Sequence, residues 1–131
     1  MTTTAPPMCR RVAALVAARD ADPHEQRSAQ WYAMREAMLT ASDVAAVLGA
    51  NAYKTADAVM REKTNQVAPF AGSSATQFGV VHEDAAVDAY ERATGARVLR
   101  FGLMRHAKLP WLGASPDGVT TDGRLVEIKV R

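Results

Sequence analysis

The hydrophobic pattern of the chain changes once, near Gly95, and this change restricts the folds that the chain can adopt. Before that glycine, apolar residues recur every three or four positions, which predicts helices at about residues 8–20, 26–39, 44–48, 55–63 and 74–94. After it, short stretches separated by turn residues predict strands at about 98–106, 111–114, 118–121 and 124–130. Helices followed by strands indicate an α+β fold, with N-terminal helices packed on a small antiparallel or mixed sheet.

Length, charge and cysteine content exclude a few classes of protein. The 131 residues suit a single domain, predicted at 8–131 after a flexible tail at 1–7. A net charge of +2 neither indicates nor excludes a nucleic-acid partner. Cys9 is the only cysteine, which excludes an internal disulfide and a zinc site built from cysteines, and favours an intracellular setting. The apolar runs are too short to cross a bilayer.

The last predicted strand reaches almost to the final residue of the sequence. A sheet that stops at such a strand exposes an unpaired edge. This placement predicts a domain that is truncated at its C-terminus or completed by another chain.

A carboxylate and an ammonium group share one face of the last predicted strand. Side chains alternate between the two faces of a strand, so Glu127 and Lys129 lie on the face opposite to Val126 and Ile128. A metal-dependent phosphodiesterase needs this pair, because the carboxylate binds the metal and the cation orients water and balances phosphate charge. Taken alone, the pair is more typical of an ordinary half-exposed strand.

Asp117 strengthens the functional interpretation of that strand. It lies in a Ser-Pro-Asp-Gly turn ten residues before Glu127, and Asp122 and Gly123 between them are typical of a hairpin. Folding of the hairpin brings Asp117 towards Glu127, and two carboxylates beside a lysine form a divalent-metal site. The alternative is that Asp117 only serves the turn.

The helical part supplies three further candidates. Glu83 lies in the middle of a helix on a partly apolar stripe, and its functional and structural interpretations are evenly balanced. Arg35 follows Trp31 by one helical turn and can bind a phosphate with two hydrogen bonds. Ser42 lies at a predicted helix start, where backbone N–H groups favour an anion. A plain N-cap serine and a surface arginine are the alternative.

These blocks, in this order, resemble the YqaJ-like viral recombinase family, the lambda-type exonucleases of the PD-(D/E)XK nuclease superfamily. The resemblance covers about residues 31–129. It rests on a series of short blocks, namely WYAMR (31–35), LTASD (39–43), AVLG (46–49), NAY (51–53), GVVHE (79–83), Tyr90, WLGASPDG (111–118) and LVEIK (125–129). Members of this family normally continue well past the last block, so the resemblance also implies that the C-terminal part of the fold is absent.

The resemblance implies roles for individual residues. Asp117, Glu127 and the Ile128 carbonyl would bind Mg²⁺ or Mn²⁺, Glu83 would join them directly or through water, and Lys129 would position the attacking water. Three further residues resemble those that bind a 5′-terminal phosphate: Arg35, Ser42 and Ser115.

The implied reaction is hydrolysis of duplex DNA from a 5′ end, in recombination or viral DNA processing. It leaves a 3′ overhang for a single-strand annealing protein, and ring-shaped homotrimers around DNA are implied as well. Two alternatives stay open at this stage. One is a DNA-binding module or incomplete domain that does not cut, and the other is an endonuclease of the same superfamily.

Overall fold

The computed structural model describes residues 7–65 and 74–130. The predicted loop at 66–73 and all but the last residue of the predicted tail lie outside these ranges. The elements are α1 (Arg10–Ala21), α2 (Ala29–Glu36), β1 (Leu39–Thr40), α3 (Ala41–Val47), α4 (Ala56–Lys63), α5 (Ser74–Thr94), β2 (Val98–Leu99), β3 (Met104–Arg105), β4 (Leu112–Ala114), β5 (Gly118–Thr120) and β6 (Leu125–Val126).

The chain divides into two units, which alternate along the sequence. The first unit is formed by Met1–Asp22, Ala71–Phe101 and Pro116–Arg131, and the second by Pro23–Phe70 and Gly102–Ser115. The first unit therefore contains α1, α5 and an antiparallel sheet of order β2-β5-β6. The second contains α2, α3, α4 and a mixed sheet of order β1-β4-β3, in which β1 runs parallel to β4.

The core of the first unit fixes the start of β5. Val87 of α5, Val98 of β2 and Val126 of β6 are buried against one another. Gly118 lies so close to this cluster that a Cβ added there would be 2.3 Å from Val98 Cγ1. Only glycine fits at this position, so the close packing of β5 on β2 sets where the preceding Asp117 emerges from the sheet.

In the second unit, a buried ion pair connects α3 to α4. Asp43 is only 4% exposed, and its carboxylate accepts hydrogen bonds from Thr40 N–H at 2.9 Å and Thr40 Oγ1 at 3.0 Å. Lys63 Nζ lies 3.1 Å from the same carboxylate. Thr40 is thus the N-cap of α3.

We expect Asp43→Ala to lower the free energy of unfolding by about 3 kcal/mol, because it leaves the Lys63 ammonium without its buried partner. Burial by itself raises the pKa of Asp43. The Thr40 hydrogen bonds and Lys63 together lower it by more than burial raises it, so the pKa of Asp43 lies below its usual value. The stabilisation is therefore complete above about pH 3.9 and is lost as the pH falls through the lower folded-state pKa. The difference between wild type and Asp43→Ala in urea denaturation, at pH 7 and at pH 3, measures this contribution.

Asp57→Ala is the matched control for that experiment. Asp57 forms an exposed ion pair with Arg61 on α4 and should contribute less than about 1 kcal/mol. Equal losses in the two variants would contradict a structural role for the buried pair.

The α+β fold class predicted from the sequence is confirmed, and the strand boundaries need correction. The predicted strand at 98–106 is two strands in two different sheets, so the predicted single sheet is two small sheets. The strand ends between them because Leu103 N–H donates to His24 Nε2 at 2.8 Å instead of to a neighbouring strand. Gly102 leaves room for this contact, since a Cβ there would be 2.6 Å from the same ring nitrogen.

No helix in residues 7–65 and 74–130 combines the length and the apolar character needed to cross a membrane.

The prediction of one domain over 8–131 stays a prediction.

Candidate active site

Asp117 lies beside the strand that carries the Glu-x-Lys pair. The hairpin of β5 and β6 pairs Gly118 with Val126, which places the preceding turn next to residues 127–129. Asp117 Oδ2 accepts a hydrogen bond from Ile128 N–H at 2.7 Å. This contact explains why β6 is shorter than the predicted strand at 124–130, since a side chain replaces the backbone partner beyond Val126.

Glu127 and Lys129 project from the exposed side of this segment. Residues 125–130 alternate between exposed and at least partly buried side chains, as the sequence pattern predicts. The Glu127 and Lys129 side chains are 61% and 72% exposed and form an ion pair with each other. The Glu127 carboxylate, which accepts a hydrogen bond from Lys129, raises the pKa of the lysine. Lys129 is therefore a cation at neutral and moderately alkaline pH.

Glu83 approaches the same region from α5. Its side chain is only 12% exposed, and Oε1 lies 2.7 Å from a guanidinium nitrogen of Arg100. Burial raises the pKa of Asp117, and the carboxylates of Glu127 and Glu83 raise it further, against the lowering effect of the Ile128 hydrogen bond. The carboxylates of Glu127 and Glu83, which come from two other segments, therefore act electrostatically on Asp117.

Arg100 belongs to this cluster although the sequence analysis missed it. One guanidinium nitrogen, Nη1, contacts both Glu83 Oε1 and the backbone carbonyl of Asp117, the latter at 3.1 Å, and Nη2 contacts Asp84 Oδ1 at 2.7 Å. Arg100 is separated from Glu83 and from Asp117 by 17 residues each. A separation of that length carries no periodic signal, so only the folded chain reveals the contact.

The donor chemistry of the cluster fits a hard divalent cation. Magnesium and manganese prefer carboxylate, carbonyl and water oxygens, and Asp117, Glu127 and Glu83 supply three carboxylates. Burial is the main cause of the raised pKa of Asp117, with a smaller effect of the neighbouring carboxylates, and a bound cation would favour its ionised form. Within the described ranges, however, no three His, Cys, Asp or Glu side chains are arranged to hold an ion. Glu83 and Glu127 face Arg100 and Lys129 instead.

The second unit holds the three predicted phosphate-binding residues. Trp31 connects two of them, because its Nε1–H donates to Ser115 Oγ at 2.8 Å and the Arg35 guanidinium lies 4.5 Å from the centre of its ring. Ser42 is exposed on the first turn of α3. The sequence predicts that Trp31 and Arg35 are neighbours on one helix. The hydrogen bond that links Trp31 to Ser115 appears only in the structure.

The backbone at Arg35 is also held in place. Lys63 Nζ, which pairs with Asp43, donates a second hydrogen bond to the Arg35 carbonyl at 2.6 Å. The ammonium therefore connects the end of α2 to α3 and α4. The described contacts thus bring together the catalytic candidates in the first unit and join Arg35 to Ser115 in the second, while the roles of these residues stay predictions.

The α+β fold is of the PD-(D/E)XK type. Residues 30–131 match the model of the YqaJ-like viral recombinase domain, and the chain belongs to that family. The resemblance derived from the sequence motifs is therefore confirmed.

Two solved structures share this fold. The alkaline exonuclease LHK-Exo from Laribacter hongkongensis is 30% identical with a TM-score of 0.63, and the match covers 76% of this chain and 52% of that one. LHK-Exo in complex with dAMP gives 29% identity and a TM-score of 0.61 over the same shares.

Two viral proteins are also similar in sequence. An uncharacterized protein of Acanthamoeba polyphaga mimivirus is 28% identical over 116 residues, which cover 80% of this chain and 21% of the viral protein. A protein of African swine fever virus is 34% identical over 102 residues, 74% of this chain and 29% of that protein. The chain thus spans about half the length of its solved relatives and less than a third of these viral ones.

Proposed function

We propose that this protein is a metal-dependent deoxyribonuclease that hydrolyses duplex DNA from a 5′-phosphorylated end. The observation that carries the proposal is the hydrogen bond from Ile128 N–H to Asp117 at 2.7 Å, which holds that carboxylate beside the segment that carries Glu127 and Lys129. Family membership and the likeness to a protein described as an alkaline exonuclease support it.

Asp117, Glu127, Glu83 and the Ile128 carbonyl are the groups that would hold Mg²⁺ or Mn²⁺. A metal bound there supplies charge neutralisation at the phosphate and a more acidic water. The chain's own residues supply the rest. Asp117 is held by Ile128 N–H, so its carboxylate keeps one orientation. Lys129 remains protonated, so it donates hydrogen bonds to water or to a phosphate oxygen and does not accept a proton.

Arg35, Ser42 and Ser115 would bind the terminal 5′-phosphate in this proposal. Arginine offers two parallel hydrogen bonds to a phosphate, and the two serines offer hydroxyl donors. The stacking of Arg35 on Trp31, and the Trp31 hydrogen bond to Ser115, fix two of these groups before any substrate arrives. Pre-ordered donors lose less conformational entropy on binding, which favours a specific end over internal DNA.

The setting and partners are part of the same proposal. Processing of a 5′ end leaves a 3′ single strand, which a single-strand annealing protein would bind. A homotrimer that encircles DNA would keep the enzyme on its substrate. The free cysteine, Cys9, favours an intracellular setting.

The first experiment is digestion of linear duplex DNA with a 5′-phosphate, in Mg²⁺ and in EDTA, beside a covalently closed circle. We expect metal-dependent loss of the linear duplex and an intact circle. Nicking of the circle would favour the endonuclease alternative. Salt-dependent binding without cleavage by the folded protein would favour the module that does not cut.

The phosphate-binding residues are tested by the ratio of rates on 5′-phosphorylated and 5′-hydroxyl ends. A charge-assisted hydrogen bond contributes about 1.5–3 kcal/mol, so wild type should prefer the phosphorylated end by about tenfold to a hundredfold. Arg35→Gln should remove most of that preference. Arg61→Gln, an exposed arginine in the same unit, should keep it. A preference that survives in Arg35→Gln would contradict the assignment.

A further inference from the structure

Arg100 joins the two parts of the chain that carry Glu83 and Asp117. Glu83 comes from α5, and Asp117 comes from the turn before β5. The guanidinium contacts the Glu83 side chain and the Asp117 backbone carbonyl through the same nitrogen, at 2.7 Å and 3.1 Å. Its other terminal nitrogen contacts Asp84, whose side chain is 94% exposed.

The contact with Arg100 restricts the Glu83 side chain. A glutamate has several rotatable bonds, and ordering it costs up to about 2 kcal/mol of conformational entropy. The planar guanidinium fork donates in fixed directions and its Nη2 contacts Asp84, so Nη1 favours one direction of approach for the Glu83 oxygen. Because the same nitrogen also contacts the Asp117 carbonyl, the fork fixes Glu83 relative to the residue that precedes β5.

We propose that Arg100 is a positioning residue that holds the Glu83 side chain beside the Asp117 backbone, from where Glu83 takes part in binding a divalent cation. This inference rests on the proposed function, since it assigns a task within the same site. Outer partners that orient the ligands of a metal typically change metal affinity by 10–100-fold when they are removed. Arg100 would act in this way without touching the metal or the DNA.

The charge of Arg100 has the opposite effect, and the geometry indicates which effect is larger. A cation beside the site repels a divalent metal, but the Arg100 side chain is 40% exposed, so water and salt screen its charge. The Glu83 side chain is only 12% exposed, and its Oε1 is held by Arg100 Nη1 at 2.7 Å. Orientation should therefore outweigh repulsion, and removal of the guanidinium should weaken metal binding.

Isothermal titration of the protein with Mn²⁺ alone, without DNA, tests the sign of this effect. We expect Arg100→Gln to weaken Mn²⁺ binding by 10–100-fold relative to wild type. Arg100→Lys keeps the charge but loses the planar fork, so an intermediate loss is expected. Asp84→Asn is the matched control, because it removes only the exposed contact of Arg100 and should change the affinity by less than about twofold.

The possible results separate this inference from the proposed function. Unchanged or tighter Mn²⁺ binding by Arg100→Gln would show that the arginine is only a counter-ion, and the inference would fail while the metal site stands. Failure of wild type to bind Mn²⁺ at millimolar concentration would remove both. Circular dichroism melting without metal checks the fold, and if Arg100→Gln does not fold, the affinity of Arg100→Lys decides.

Discussion

Asp117→Asn is expected to lower the rate of DNA cleavage by at least about a thousandfold while the protein remains folded. A thousandfold loss corresponds to about 4 kcal/mol of transition-state stabilisation, in the range observed when a central catalytic group is removed. Asparagine keeps the shape of the side chain, and its oxygen can still accept the Ile128 N–H hydrogen bond. It cannot supply the negative charge that a divalent cation requires. Single-turnover cleavage of a 5′-phosphorylated duplex in saturating Mg²⁺ measures the loss.

The same substitution should leave the metal-free protein at least as stable as wild type. Burial and the neighbouring carboxylates of Glu127 and Glu83 raise the pKa of Asp117 in the folded state. The contribution of Asp117 to the free energy of unfolding is therefore most favourable at low pH, below its pKa in the unfolded chain. This contribution is lost as the pH rises through its pKa in the folded protein. At pH 7 the ionised Asp117 opposes folding, which asparagine does not do. Active-site residues commonly lower the stability of the folded protein in this way.

Thermal melting in EDTA at pH 7 and pH 4 tests this second expectation. The melting temperature of Asp117→Asn should equal or exceed that of wild type at pH 7, and the difference should shrink towards pH 4. Asp88→Asn removes an exposed carboxylate from α5 and should change neither cleavage nor this pH dependence. A large loss of stability in Asp117→Asn at pH 7 would mean that its carboxylate serves the fold and not the site.

Local patterns in the sequence were sufficient to predict the Asp117, Glu127 and Lys129 cluster. The alternation of strand side chains determines which residues share a face, and the Asp122–Gly123 turn determines which segments become neighbours. Both signals act over ten residues or fewer, so they can be recognised without the folded chain. For the same reason the end of α5 at Gly95 and the helical stripe around Glu83 were predictable.

Contacts between distant segments could not be predicted in this way. The division of the strands into two sheets depends on His24, whose ring accepts the Leu103 N–H from 79 residues away. The pairing of Asp43 with Lys63 depends on how α3 packs on α4, and the contacts of Arg100 depend on how α5 packs beside β5. In each case the residue type fits many roles, and only tertiary packing selects one.

Lys129→Gln should abolish most of the cleavage activity, by a factor of about a thousand, while DNA binding changes little. Removal of a group that positions a proton or a charge in the transition state commonly costs 10²–10⁴-fold. The Lys129 side chain is 72% exposed and contacts Glu127, so its loss should not disturb the core. The effect should therefore appear in kcat, with the affinity for duplex DNA measured in Ca²⁺ nearly unchanged. Lys108→Gln removes an exposed lysine elsewhere and should leave both quantities unchanged.

The pH profile then separates two roles for the lysine. The Glu127 carboxylate raises the Lys129 pKa above its usual value of about 10.4, so the ammonium form persists throughout the neutral and moderately alkaline range. If the ammonium orients water or phosphate, Lys129 stays active up to about pH 10, and the cleavage rate should show no decline from its deprotonation below that pH. Lys129→Arg should then keep part of the activity, because it keeps the charge. If the neutral amine were the proton acceptor, the rate would rise tenfold for each pH unit up to the lysine pKa and Lys129→Arg would be inactive. The raised pKa favours the first outcome, in which a permanent cation beside the Glu127 and Asp117 carboxylates works by electrostatics and orientation.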